Sequence, residues 1–160
     1  MSVSSGVGVV SSATVKTAAG ADVFRLVEMR YTETVATPFR MELDLVSEQT
    51  DLDPNSLLGT PATVSFHLPG GGQRYFSGLV TAFEQQIDRG DTHAYQLVVR
   101  PWIAVLQLGS DCRIFQNKKP ADILKEVFDD LGFTDYDVAG LTGSYPELPF
   151  CVQFNETHFD

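Results

Sequence analysis

Apolar and polar residues alternate with a period of two through much of the chain between Phe39 and Val99. Phe39, Met41, Leu43 and Leu45 are separated by Arg40, Glu42 and Asp44, so one face of an extended segment is dry and the other wet. Ala62, Val64, Phe66 and Leu68 alternate with Thr63, Ser65 and His67, after which Pro69-Gly70-Gly71-Gly72 reverses the chain. This predicts a hairpin with a long strand running from about Arg74 to Ile87, in which Gly78 marks a bulge or a barrel bend where a side chain would not fit. Asp88-Arg89-Gly90-Asp91 predicts the next turn, and His93, Tyr95, Leu97 and Val99 alternate in the return strand. With strands near Val23 and Phe39, the pattern makes an antiparallel sheet of at least five members, enough to curl into a barrel. Ser47 to Gly59 reads as a loop, with a turn at Asp53-Pro54-Asn55 and Leu57-Leu58 pinning it to the core.

Beyond Val99 the pattern changes. Pro101 in Arg100-Pro101-Trp102 cannot continue a ladder, so the sheet ends or turns there, and Trp102 supplies a large body to bury at the corner. A helix is predicted over about 120–131. Pro120 suits its first position, Asp122 its first turn, and Leu124, Val127, Phe128 and Leu131 recur at helical spacing. Gly132 supplies the left-handed residue that ends it, and Phe133 folds back on the last turn. The preceding strands are the expected partner of its apolar face, with Trp102 packed against it. Tyr136 to Pro149 reads as a connector and Phe150 to Phe154 as a short strand. Residues 1–22, rich in Ser, Gly and Ala, read as a flexible arm or weak edge strand, with order expected from Val23. The fold class is therefore mainly β with a helix (α+β).

A net charge of −10, from 21 acidic and 11 basic residues, argues against nucleic acid and anionic membrane surfaces as partners, since both demand clustered Lys and Arg. Solubility is the plain account of this acidity; a basic protein partner is the alternative. Cys112 and Cys151 lie far apart without metal-ligand spacing; they could pair, but they read as reduced and buried thiols. The N-terminus has no basic start and only the short apolar run Val7 to Val10, so it reads neither as a signal peptide nor as a membrane span.

Chemistry is hard to find. His67, His93 and His158 stand in separate segments, with no His-x-x-x-His or Cys-x-x-Cys spacing. Neither Cys112 nor any serine sits in a nucleophile elbow. Asp111 beside Arg113 reads as loop geometry in a Ser-Asp-Cys-Arg turn or as an ion pair. Asp129-Asp130 and Asp135/Asp137 read as a solvated face, lacking the apolar setting that lifts a carboxyl pKa. The glycines at 70–72 lack the Lys-Ser or Lys-Thr ending of a phosphate cradle. No catalytic, cofactor or metal residue is assigned, and the chain reads as non-enzymatic.

Arg100-Pro101-Trp102, Ser110-Asp111-Cys112-Arg113-Ile114-Phe115-Gln116-Asn117, Leu131-Gly132-Phe133 and Cys151-Val152-Gln153-Phe154-Asn155-Glu156-Thr157 occur in an order that resembles the N-terminal domain of VgrG proteins. These are spikes of bacterial type VI secretion, similar in turn to the hub of contractile phage tails. The resemblance runs from about Val23 to the last residue. It implies a barrel-like hub domain over 23–133, braced by the helix, and over 134–160 a connector and the start of a second, truncated hub domain. The structural positions it singles out are Arg100, Pro101, Trp102, Asp111, Cys112, Phe115, Phe128, Gly132 and Cys151. It also implies a homotrimer in the full-length protein, seated on the type VI tube protein, contacting baseplate components and carrying a tip protein and effectors through C-terminal regions missing here. Such a protein waits in the bacterial cytoplasm and is then secreted without a signal peptide. The alternatives are a hub of a contractile phage or phage-derived tail, and a hydrolase or effector activity on a missing C-terminal domain.

Overall fold

The alternation around Phe39 becomes the middle of a curled sheet. A computed structural model describes residues 13–87 and 92–160, and the chain divides between Ala104 and Val105 into two units. In the first unit, β1 (Ala13–Lys16), β2 (Arg25–Thr34), β3 (Thr37–Ser47), β4 (Pro61–His67), β5 (Gln73–Gln85) and β6 (His93–Arg100) form one sheet. Its order is β1-β4-β5-β6-β3-β2, and neighbours are antiparallel. The sheet curls until its two edge strands, β1 and β2, come back into contact without sharing a ladder. It is a half-barrel, as the strand pattern predicts.

Register explains the core. Met41 pairs with Val99, Leu43 with Leu97 and Leu45 with Tyr95, and all six side chains are buried on the concave face. Tyr95 lies between Phe24 and Phe83, with ring centroids at 5.7 and 5.5 Å. Its hydroxyl donates to the Gln49 carbonyl at 2.9 Å, which satisfies the polar end of a buried ring.

Several expectations shift. Residues 1–12 of the expected arm lie outside the described residues. The remainder holds an edge strand, the second of the two expectations, and order is already present at Ala13, upstream of Val23, because β1 pairs with β4 and seats Val15 opposite Val64 in the core. The loop after β3 contains one helical turn, α1 (Pro54–Leu57), whose N-cap Asp53 accepts the Asn55 N–H at 2.9 Å. Leu57 is buried and pins this loop, whereas Leu58 is exposed. Leu68 is exposed too, beyond the end of β4. Gly78 is not the bulge: the register shift lies between Val80 and Ala82. The turn predicted at Asp88–Asp91 lies outside the described residues.

After β6 a short 3-10 segment, Trp102–Gln107, leads out of the sheet, and Ala104 N–H donates to the Pro101 carbonyl at 2.9 Å. The second unit holds β7 (Ser110–Lys118), α2 (Pro120–Asp130) and β8 (Leu148–Thr157). β7 and β8 form a two-stranded antiparallel ribbon. Ser110-Asp111-Cys112-Arg113 is therefore strand and not turn. The strand expected over Phe150 to Phe154 extends to Thr157, through a bulge where Asn155 takes φ 52°. Helix α2 ends as its sequence predicts: Gly132, at φ 78°, donates to the Asp129 carbonyl and Phe133 to that of Phe128.

Candidate interaction surface

The ribbon has two unlike faces. On the inner one Phe115 pairs with Cys151, and Ile123 and Val127 of α2 pack on Phe115 with Phe128 and Leu148 beside them. The face α2 buries is thus the Ile123–Val127 stripe; Leu124 and Leu131, predicted to face inward, are exposed. The strand β7 does precede the helix, but the other half of its docking surface comes from β8, which follows it. A helix read alone cannot show which of two adjoining stripes its partner will cover.

Arg113 also lies on this face. Its guanidinium stacks over Phe115 at 4.9 Å, donates to Asp130 Oδ2 at 2.5 Å and lies 3.6 Å from Glu126 Oε1. Lys118 Nζ reaches the other Glu126 oxygen. Arg113 is thus paired with the helix, while Asp111 accepts the Cys112 N–H at 2.7 Å. At the helix end the Tyr136 hydroxyl donates to Asp129 Oδ1 at 2.8 Å, and that bond raises the Tyr136 pKa above 10.0.

The outer face carries Cys112, Ile114 and Gln116 on β7 opposite Phe154, Val152 and Phe150 on β8. None of the six is charged, and Ile114, Phe150 and Phe154 are 67, 69 and 75% exposed. Sequence reasoning misses this face. Its signal lies in the alternation of Phe150, Val152 and Phe154, but the matching residues of β7 stand out only as part of a motif and an expected turn.

The structure gathers Phe115, Phe128 and Cys151 into one cluster and sets Gly132 at the end of the helix that covers it. Arg100 ends β6 in the first unit, with Pro101 next, and Trp102 opens the 3-10 segment half-buried. Asp111 and Cys112 lie at the bulged end of the ribbon. Cys112 and Cys151 are free thiols on opposite ribbon faces: Cys151 is half-buried against the inner cluster, whereas Cys112, expected to be buried, is exposed because its strand position faces outward. Among the described residues no three His, Cys, Asp or Glu side chains converge as metal ligands, and no helix is long and apolar enough to cross a membrane. Ser47, beside a shallow recess at the end of β3, uses its hydroxyl to accept the Gln49 N–H at 3.1 Å. The surface can bury apolar area against a partner.

Residues 32–160 match the model of the phage tail baseplate hub (GPD) family. The chain belongs to this family. The hub chain is also 47% identical over 141 residues to the type VI secretion system spike protein VgrG1b of Pseudomonas aeruginosa, a match covering 88% of this chain and 19% of VgrG1b. With VgrG1a of the same organism it is 45% identical over 141 residues, covering 88% of this chain and 22% of VgrG1a. The hub chain thus spans about a fifth of the length of these curated relatives. Among solved structures it is similar to the Escherichia coli c3393 protein, a type VI secretion component likened to the T4 bacteriophage tail proteins gp27 and gp5. That similarity has a TM-score of 0.63 at 20% identity, over 85% of this chain and 39% of that one. It is similar also to the Francisella PdpA–VgrG complex, with a TM-score of 0.57 at 11% identity over 91% of this chain and 24% of that one. At those identities the likeness is one of fold: a curled antiparallel sheet of the phage-tail-hub type.

Proposed function

We infer that the hub chain serves as the structural base of a type VI secretion spike. In this reading it trimerises in its full-length form, seats on the secreted tube, and passes the push of a contracting sheath to the needle. The observation that carries it is the 47% identity to VgrG1b over 141 residues. The work is mechanical, so the protein needs stiffness and repeated surfaces rather than a nucleophile. Export with the tube requires no signal peptide. Baseplate components hold the hub, while the tip protein and effectors ride on regions beyond the match.

The second unit supports one further part of this reading. A two-stranded ribbon is marginal in water unless more strands or a helix cover it. Here α2 covers only one face, and the outer face offers four exposed apolar side chains, Ile114, Phe150, Val152 and Phe154. In this reading residues 134–160 lead into a second hub domain, and later residues of a longer chain cover that outer face.

Light scattering on the full-length protein tests the reading: a trimer is expected, and a stable monomer excludes it. The match to the phage baseplate hub model favours a second reading, the hub of a contractile phage or phage-derived tail. Genomic neighbours separate the two.

A further inference from the structure

Helix α2 is a weak helix by its own sequence. Lys119 at its N-cap makes no side-chain capping bond, and its last turn holds no cation. That end carries Asp129 and Asp130, where the helix dipole is already negative. Eleven such residues do not stay helical in water unless they dock. The apolar anchor of the helix is short: Ile123 and Val127 are buried and Phe128 partly so.

Charge supplies the rest. Arg113 donates to Asp130 at 2.5 Å and lies 3.6 Å from Glu126, which Lys118 also engages. Two of the four cations of residues 105–160, which are Arg113, Lys118, Lys119 and Lys125, therefore stand on β7 and point at α2. Each of these partly exposed pairs is modest, but as a network they offset the unfavourable charge at the helix end.

We propose that α2 is an electrostatic latch, held on the ribbon by the Arg113–Asp130–Glu126–Lys118 network in addition to its apolar stripe, and that weakening this network releases it and uncovers Phe115 and Cys151. Once open, the ribbon presents apolar side chains on both faces. Phe115 and Cys151 stand on one, with Ile114, Phe150, Val152 and Phe154 on the other. Opening of this kind is local unfolding, and ionic strength is its control, because these pairs are solvent-accessible and salt screens them.

Cys151 reports the opening directly, since it packs in the cluster that α2 covers. In the Cys112→Ser variant it is the only thiol. Its rate of reaction with a neutral aromatic disulfide is measured at about 0.02 M and about 0.5 M NaCl, and each rate is divided by that of the same chain unfolded in urea. The latch requires about a tenfold faster normalised reaction at the higher salt. It also requires that Glu126→Gln react at the fast rate in both. A salt-independent rate overturns the proposal, as does a Glu126→Gln protein as protected as its parent at low salt. Far-UV circular dichroism identifies a Glu126→Gln protein that has lost its sheets; the salt comparison on the Cys112→Ser parent then decides alone.

Discussion

Gly78 passes beneath Arg100 so closely that a Cβ built on it would stand 2.5 Å from the Arg100 carbonyl oxygen and 3.0 Å from the carbonyl carbon. Pro101 follows at once, so this is where β6 stops pairing and the chain leaves the sheet. The obstacle is backbone, which cannot rotate away as a side-chain tip would. Gly78→Ala therefore forces β5 and β6 apart locally and is expected to cost about 1–3 kcal/mol. Urea denaturation of the first-unit transition measures it; a loss below about 0.5 kcal/mol, the scale of a neutral surface change, would mean that the strands have room to spare.

The two stripes of α2 give a paired prediction. Ile123 is buried against Phe115, while Leu124 next to it is 52% exposed. Ile123→Ala is expected to destabilise the second unit by about 2–5 kcal/mol, and Leu124→Ala by no more than about 0.5 kcal/mol. Thermal melts of both variants compare them. A reversed order would restore the stripe that spacing alone suggests.

In the first unit Leu43 and Leu97 face each other at the centre of the sheet, both fully buried. Leu43→Ala removes one side of that contact and leaves a cavity, expected to cost about 2–5 kcal/mol. Denaturant titration checks it, with the ribbon followed by a separate probe because two units need not unfold in one step.

Alkaline pH loosens the end of α2. The hydrogen bond from Tyr136 to Asp129 raises the folded-state pKa of Tyr136 above its ordinary 10.0. A raised folded pKa means that its stabilisation is fully present below pH 10.0 and is lost as pH climbs through the folded value. Absorbance near the phenolate band should show one tyrosine titrating late for this reason, and Tyr136→Phe should remove that limb. Persistence of the late titration in Tyr136→Phe, beyond the part due to Tyr31, whose pKa burial and Glu33 also raise, would assign it elsewhere.

The outer ribbon face separates a short chain from a long one. Val152→Lys places a charge among Ile114, Phe150 and Phe154. On the 160-residue chain it should change the melting point little. In a full-length hub, where later residues of the chain are proposed to cover that face, an unpaired buried charge should lower it sharply. Equal melting behaviour in the two settings would place the face in solvent in both.

Much of the local structure is legible in the order of the residues. The dry faces of β3, β4 and β6, the hairpin at 69–72 and the glycine cap of α2 each follow from a rule acting over a few neighbouring residues: pleat, turn or helix terminus. The motif residues Phe115, Phe128 and Cys151 stand out in the sequence as well, though not as one cluster. What stays hidden there involves partners distant in the chain. Val15 becomes a core residue only because β1 finds β4, some fifty positions on. Helix α2 chooses Ile123 over Leu124 only because β7 and β8 meet beneath it. Arg113 turns to Asp130 rather than Asp111 because a strand, not a turn, carries it. Local spacing decides what a segment can bury; which neighbour arrives to bury it depends on long-range pairing, whose energy appears only when the chain has closed on itself.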